Sequence, residues 1–206
     1  MNKEKKNLYW HKPSVTVNER RESYEYKSCV LWFTGLSAAG KSSLANSLSQ
    51  QLHMLGVKSY VLDGDNIRHG LNKDLAFSQD HRKENIRRIG EVAKLFVDAG
   101  LIVITAFISP YKEDRDNVRD LLKEDEFIEV HVKCPISECE RRDPKGIYRR
   151  ARTGEIKEFT GVSAPYEEPE RPEIVLETDA LTIEECIENL LGFLSENGYL
   201  SLRSHK

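Results

Sequence analysis

Residues 35–42 read Gly35-Leu36-Ser37-Ala38-Ala39-Gly40-Lys41-Ser42, which fits G-x-x-x-x-G-K-[ST]. Few patterns this short restrict a fold so tightly. The two glycines let the backbone wrap an anion so that successive N–H groups point inward, and a helix starting at the second glycine adds the positive end of its dipole. Such a loop needs a buried strand before it and a helix after it. Cys29–Thr34 is a largely apolar run of strand length, and Ser42–Leu55 places Leu44, Leu48, Leu52 and Leu55 at helical spacing before Gly56. Within the loop Lys41 has the reach for β- and γ-phosphates, and the Ser42 hydroxyl suits Mg²⁺. Gly35, Leu36, Ser37, Ala38, Ala39, Gly40, Lys41, Ser42 and Ser43 are therefore the expected ATP-binding residues. Guanine recognition would need Asn-Lys-x-Asp late in the chain; Asn72-Lys73-Asp74-Leu75 has the wrong spacing and comes too early.

Further strand-sized runs follow at Ser59–Leu62, Leu101–Phe107, Phe127–Val132 and Ile174–Leu176. Between them, Glu84–Ala99 carries Ile86, Ile89, Ala93 and Phe96 on one helical face and is followed by Gly100. Thr182-Ile183-Glu184-Glu185 has the capping-box form and opens a helix bearing Ile187, Leu190, Leu191 and Leu194. Strands alternating with helices predict an α/β fold of the P-loop nucleoside triphosphate hydrolase type, a parallel sheet with helices on both faces. Residues 1–28 are expected to form an arm and 29–206 a single kinase-sized domain. Ligands in such a sheet bind at the carboxyl ends of the strands.

Charge excludes some partners. Thirty-one Lys/Arg against 34 Asp/Glu leave a net −3, which disfavours a general nucleic-acid or membrane binder. No apolar run approaches the ~18 residues that span a bilayer, and Met1–Lys6 is charged with no apolar stretch behind it, so a cytoplasmic location is expected. Cys29, Cys134, Cys139 and Cys186 fit neither a disulfide scaffold nor a zinc pair and read as reduced, packed thiols. Two local excesses stand out. Arg141–Lys157 holds seven bases against two acids, is interrupted by Pro144, Gly146 and Gly154, and reads as a broken, loop-like basic lid over about 141–160. Glu167–Glu188 holds nine acids and one base and reads as a solvated face.

The second strand ends in Leu62-Asp63-Gly64-Asp65-Asn66-Ile67-Arg68-His69-Gly70-Leu71, where two carboxylates beside an arginine offer a base, a metal ligand and an anion clamp. With Arg82 and Glu84–Ala93, Ala106-Phe107-Ile108-Ser109-Pro110-Tyr111, Arg142-Asp143-Pro144-Lys145-Gly146-Ile147-Tyr148, Phe159-Thr160-Gly161 and Pro165-Tyr166-Glu167, this run resembles the adenylylsulfate kinases over about residues 8–178. The resemblance implies transfer of the ATP γ-phosphate to the 3′-hydroxyl of adenosine 5′-phosphosulfate, with ATP and Mg²⁺. Asp63 would orient or deprotonate that hydroxyl, and Asp65, with Ser42, would serve the metal or the acceptor. Arg68, Arg82 and Asn85 would grip phosphosulfate and ribose, while Phe77 and Phe159 would sandwich the adenine. Ile108 and Lys145 would be further acceptor contacts, Arg152 an ATP contact from the lid, and Ser109 a positioning residue and not an obligatory phosphoenzyme. A homodimer and a functional link to ATP sulfurylase are likewise implied.

Three positions depart from the family pattern. Ala38-Ala39 stands where glycine and a small polar residue are commoner, so a φ above zero there would strain the loop. His81 puts a titratable ring beside the anion clamp, and Ser163 replaces an aspartate, which is expected to loosen the closing segment. Two other readings fit the phosphate loop alone: a kinase for another small acceptor, and a nucleotide-binding regulator without turnover.

Overall fold

The computed structural model describes residues 8–200; residues 1–7 of the expected arm and 201–206 lie outside it. In chain order the elements are α1 (Val17–Glu22), β1 (Val30–Thr34), α2 (Lys41–Met54), β2 (Ser59–Asp63), α3 (Gly64–His69), α4 (Gln79–Asp98), β3 (Ile102–Ala106), α5 (Lys112–Arg119), β4 (Phe127–Lys133), α6 (Ile136–Arg142), α7 (Ile147–Arg152), β5 (Ile174–Glu177) and α8 (Ile183–Glu196). All four strand pairings are parallel and the order is β2-β3-β1-β4-β5, which makes β1 the central strand.

Every residue of β1 is buried because both faces of the sheet are covered. The period of two divides them: Leu31 and Phe33 join the cluster that includes Leu44, Leu48 and Leu52 of α2 and Leu190 and Leu194 of α8, whereas Val30 and Trp32 pack with Ile86, Ile89, Ala93 and Val97 of α4. At its carboxyl end β1 has neighbours on both sides that arrive later in the chain, so a crevice opens where the strand order reverses. The phosphate loop fills that position.

All five expected strands form, as do α2, α4 and α8, the last with its Thr182 capping box intact. Three details differ. Leu55 sits at the C-cap of α2 and stays 47% exposed instead of joining the buried face. Helix α4 begins at Gln79, one and a half turns before Glu84, because Ser78 accepts a hydrogen bond from the His81 N–H and caps it. The basic stretch is broken as expected but not loop-like throughout: α6 ends in it and α7 lies within it, because the Asp143 carboxylate accepts from the N–H groups of Ile147, Tyr148 and Arg149. The arm residues ahead of β1 are tied down, Arg20 to Asp98 at 3.1 Å and Arg21 to Glu126 at 2.5 Å, and Tyr26 bridges antiparallel to Leu200.

Candidate active site

The phosphate loop is held by its surroundings. Gly35 has φ 154°, and a Cβ there would lie 2.3 Å from the Val132 carbonyl oxygen of β4, so no larger residue fits. Gly40, at φ 101°, is the residue from which α2 departs. Two hydroxyls from late in the chain fix the loop from outside. Tyr148 donates to the Ser37 carbonyl at 3.0 Å, and Thr178 donates to the Ala39 carbonyl at 2.8 Å. Leu36 is partly buried against the core, and Ser43 is exposed in the first turn of α2.

Ala38 adopts φ 61°, the strained conformation anticipated from the sequence. A left-handed L-residue costs ~1–2 kcal/mol, part of which glycine returns as unfolded-chain entropy. Ala38→Gly is therefore expected to raise unfolding stability by about 0.5–1 kcal/mol, read from a denaturant midpoint shifted upward at unchanged slope; an unshifted midpoint would mean the loop relaxes the strain elsewhere.

Lys41 is buried, and its ammonium donates to the carbonyls of Gly35 at 2.9 Å and Leu36 at 2.6 Å. Burial, which penalises the charged form, lowers its pKa to about 8. A polyphosphate beside it pulls the proton back. Nucleotide binding should thus take up a proton from about pH 8 upward and weaken as pH rises through that value, with no uptake at pH 6.5. Calorimetric titration in buffers of different ionisation enthalpy measures this directly; equal enthalpies in all buffers at pH 8.5 would refute it. The same shift makes the unfolded chain the better proton binder between about 8 and 10.5, so the Lys41 contribution to stability rises with pH across that window.

Ser42, exposed at the start of α2, donates to Asp63 Oδ2 at 2.6 Å. The other carboxylate oxygen of Asp63 accepts the Asp65 N–H at 3.0 Å and caps α3. The end of β2 is thereby brought against the phosphate loop. Asp65 does not reach Ser42 in this arrangement; its carboxylate pairs with Lys145 from the connection between α6 and α7, both side chains being well exposed. Exposed pairs of this kind contribute little, so both groups exchange readily for a ligand. Hard oxygens at Ser42 and Asp63 suit Mg²⁺, an ion that keeps waters and phosphate oxygens in its shell. Among the described residues, no group of three or more His, Cys, Asp or Glu could by itself hold a metal ion.

Beyond α3 lies a region of uncompensated positive charge. Arg68 donates to the carbonyls of Leu75 at 2.9 Å and Ala76 at 3.0 Å, and its guanidinium lies 4.5 Å from the centroid of the exposed Phe77 ring. Burial first, and then the charge of Arg82, lowers its pKa, and burial lowers that of Arg82 as well. Two partly buried guanidinium groups, the charge of one felt by the other, favour an anion beside them. Arg82 also ties the two phenylalanine-bearing segments together. It donates to the Phe77 carbonyl at 2.8 Å, to Thr160 Oγ1 at 2.9 Å and to the Glu158 carbonyl at 2.8 Å. Phe77 and Phe159 differ in setting, since Phe159 is 8% exposed and packs edge-on against Tyr148 with centroids 5.0 Å apart.

Asn85 lies three residues along α4 from Arg82, on the same face, and is buried. Ile108 follows β3 and accepts from the Thr34 hydroxyl at 2.7 Å. Ser109 is buried with φ 39°, its hydroxyl accepting from the Trp32 indole at 3.1 Å and its carbonyl from Arg115 at 2.8 Å. Arg152 pairs with Glu140 on α6. His81 Nδ1 accepts the Ala76 N–H at 2.8 Å, which fixes the ring against the turn ahead of α4. Ser163 Oγ accepts the Phe159 N–H at 3.0 Å and so ties the closing segment back to Phe159. All four cysteines are buried and free. Burial raises the Cys139 thiol to about 12 and makes it a poor nucleophile.

Several contributors had no individual role in the sequence reading. Tyr148 and Thr178 brace the phosphate loop, Asp143 starts α7, and Trp32 and Arg115 hold Ser109. Tyr148 and Asp143 stood inside a recognised motif. Nothing in the local pattern marks Thr178, 139 residues from Ala39, or Arg115, which joins Ser109 to Glu129 and Glu167.

A family model described as adenylylsulphate kinase matches residues 27–177. The chain belongs to the adenylylsulphate kinase family. A probable adenylyl-sulfate kinase of Halalkalibacterium halodurans is 61% identical over 187 residues, 91% of this chain and 93% of that protein. The adenylyl-sulfate kinase of Staphylococcus epidermidis is 56% identical over 197 residues, covering 96% and 99% of the two chains. Among solved structures, the APS kinase of Mycobacterium tuberculosis in complex with AMPPNP and APS superposes with a TM-score of 0.79 at 44% identity, covering 82% of this chain and 99% of that one. The fold is that of the family's P-loop kinases, and the protein is an ATP-dependent kinase. No helix among the described residues is long and apolar enough to cross a membrane.

Proposed function

We propose that the chain transfers the γ-phosphate of Mg·ATP to the 3′-hydroxyl of adenosine 5′-phosphosulfate, giving 3′-phosphoadenosine 5′-phosphosulfate and ADP. One observation carries the mechanism: the Asp63 carboxylate, 2.6 Å from Ser42, stands at the seam between the phosphate loop and the arginine-rich region of α3 and α4. ATP lies along the loop with Lys41 on its terminal phosphates, and the acceptor lies over Arg68, Arg82 and Asn85. Its 3′-hydroxyl then meets the γ-phosphorus beside Asp63, which accepts the proton as the oxygen attacks in line. Lys41 and the loop N–H groups stabilise the charge spread over the phosphoryl oxygens. Ser42 would hold Mg²⁺ with Asp63 beside it, and Asp65 would help once Lys145 turns to the acceptor; bound there, the ion neutralises phosphate charge. The buried hydroxyl of Ser109, committed to Trp32, supports a positioning role and direct transfer.

We place residues 29–206 in one kinase domain with 1–28 as its arm. About 141–160 form the lid, bringing Arg152 to ATP once Glu140 releases it. Phe77 and Phe159 border the adenine, and Ile108 contacts the acceptor. A homodimer, a cytoplasmic location and a functional link to ATP sulfurylase complete the proposal. ADP release from Mg·ATP, measured with and without micromolar adenosine 5′-phosphosulfate, tests it. Release that ignores the acceptor would return the substrate to another small alcohol, and ATP binding with no release would favour a regulator.

A further inference from the structure

Helices α3 and α4 carry Asp65, Arg68, Arg82 and Asn85 of the residues assigned to the acceptor, and the loop between them is fixed at Asn72. Its N–H donates to the Ile67 carbonyl at the end of α3, and its carbonyl accepts from Leu75. The side chain is fully buried and donates from Nδ2 to Asn85 Oδ1 at 3.0 Å. Its own Oδ1 is buried with no hydrogen-bond partner. An unpaired buried polar atom is costly and needs a reason.

The reason lies in which half of Asn85 remains for a ligand. If both amides turned over, the Asn85 N–H₂ would donate to Asn72, and the unpaired group at Asn72 would become an N–H₂ with two protons. Orphaned buried N–H groups are rarer than under-satisfied carbonyls, so the observed arrangement is the cheaper one. It engages the Asn85 oxygen on the Asn72 side and so turns the Asn85 N–H₂ away from Asn72. We infer that Asn72 is a positioning residue that sets the polarity of the Asn85 amide, so that Asn85 presents N–H groups to an oxyanion or ribose oxygen of the acceptor and its own oxygen is kept away. This rests on the acceptor assignment proposed above.

The test is Asn72→Asp, which matches the native side chain in shape. Once ionised, the introduced carboxylate accepts only, draws the Asn85 N–H₂ toward itself and turns the Asn85 oxygen to the acceptor, so the assay is run at high pH where the buried acid is ionised. The KM for adenosine 5′-phosphosulfate is expected to rise roughly 10- to 100-fold, the scale of one hydrogen bond to a charged group turned into a repulsion, while the KM for ATP stays within about twofold. An unchanged acceptor KM in a folded variant overturns the inference, as does an equal rise in both KM values. Should Asn72→Asp fail to fold, Asn72→Leu removes the orphaned oxygen along with the donor. A folded Asn72→Leu with a raised acceptor KM and an ordinary ATP KM supports the role; normal acceptor KM, or failure to fold, assigns Asn72 to structure alone. Wild-type protein assayed first separates the two claims: if it shows no acceptor-dependent turnover, the substrate assignment and this inference fall together. Turnover with an insensitive Asn72→Asp sinks only the inference.

Discussion

Asp63→Asn is expected to lower acceptor-dependent kcat by roughly 10²- to 10⁴-fold, the range for removing a positioned general base, while leaving a folded protein. Asparagine caps helices about as well as aspartate, so the bond to the Asp65 N–H that starts α3 survives. Its N–H₂ then faces Ser42, whose hydroxyl turns to accept instead of donate, and neither Lys41 nor the loop backbone is altered. What disappears is the negative charge that takes the proton of the attacking hydroxyl. Steady-state assay together with equilibrium ATP binding makes the split visible: kcat collapses and nucleotide affinity changes by a few-fold at most. A variant that keeps kcat within tenfold would show that the hydroxyl loses its proton elsewhere, and Asp65 would become the group to test.

The largest stability effect is expected at Arg115, 1% exposed on the inner side of α5. Its guanidinium donates to Glu129 at 2.7 Å and to the carbonyls of Ser109 and Glu167, both at 2.8 Å. Arg115→Met fills similar space but leaves the mostly buried Glu129 carboxylate without its close partner, which costs ~3–5 kcal/mol. Arg119 remains 3.7 Å from that carboxylate, so the lower end is expected. For a chain of this length about 3 kcal/mol lowers Tm by roughly 6–12 °C. Adding Glu129→Leu removes the stranded charge and should restore part of the loss, though not the bonds to Ser109 and Glu167. A calorimetric scan of wild type, single and double variants decides. If the double variant is no better than the single one, the cost lies in those two carbonyls and not in the ion pair.

Arg115 also shows why some of this architecture could not be read from the chain. The inner strands β1, β3 and β4 announced themselves as short, continuous apolar runs because both sheet faces are covered there. The helices α2, α4 and α8 carried apolar stripes and caps. Helix α5, Lys-Glu-Asp-Arg-Asp-Asn-Val-Arg, has one aliphatic residue, and two of its three buried positions are Asp114 and Arg115. Arg115 is buried by its pairing with Glu129, Asp114 is buried with one oxygen unpartnered, and polar residues on the inner face leave no hydrophobic period to detect. The site divides in the same way. The phosphate loop and Asp63–Arg68 are contiguous, so their spacing carries the chemistry. The bond from Asn72 to Asn85, the bond from Thr178 to the loop and the three-way grip of Arg82 join residues whose proximity only the folded sheet creates. The departures at 38, 81 and 163 needed coordinates to weigh. The alanine is strained as anticipated, whereas the histidine and serine each gain a backbone partner.

The central place of β1 has a consequence for synthesis on the ribosome. The strand that delivers the phosphate loop emerges early, yet one flank stays open until Ala106 has been made and the other until Lys133. The outer brace on the loop waits longer, for Thr178. A nascent chain keeps β1 with an open flank until β4 has been made, and the loop gains its outer brace only after β5. ATP binding therefore follows the pairing of β1 on both flanks and does not template it.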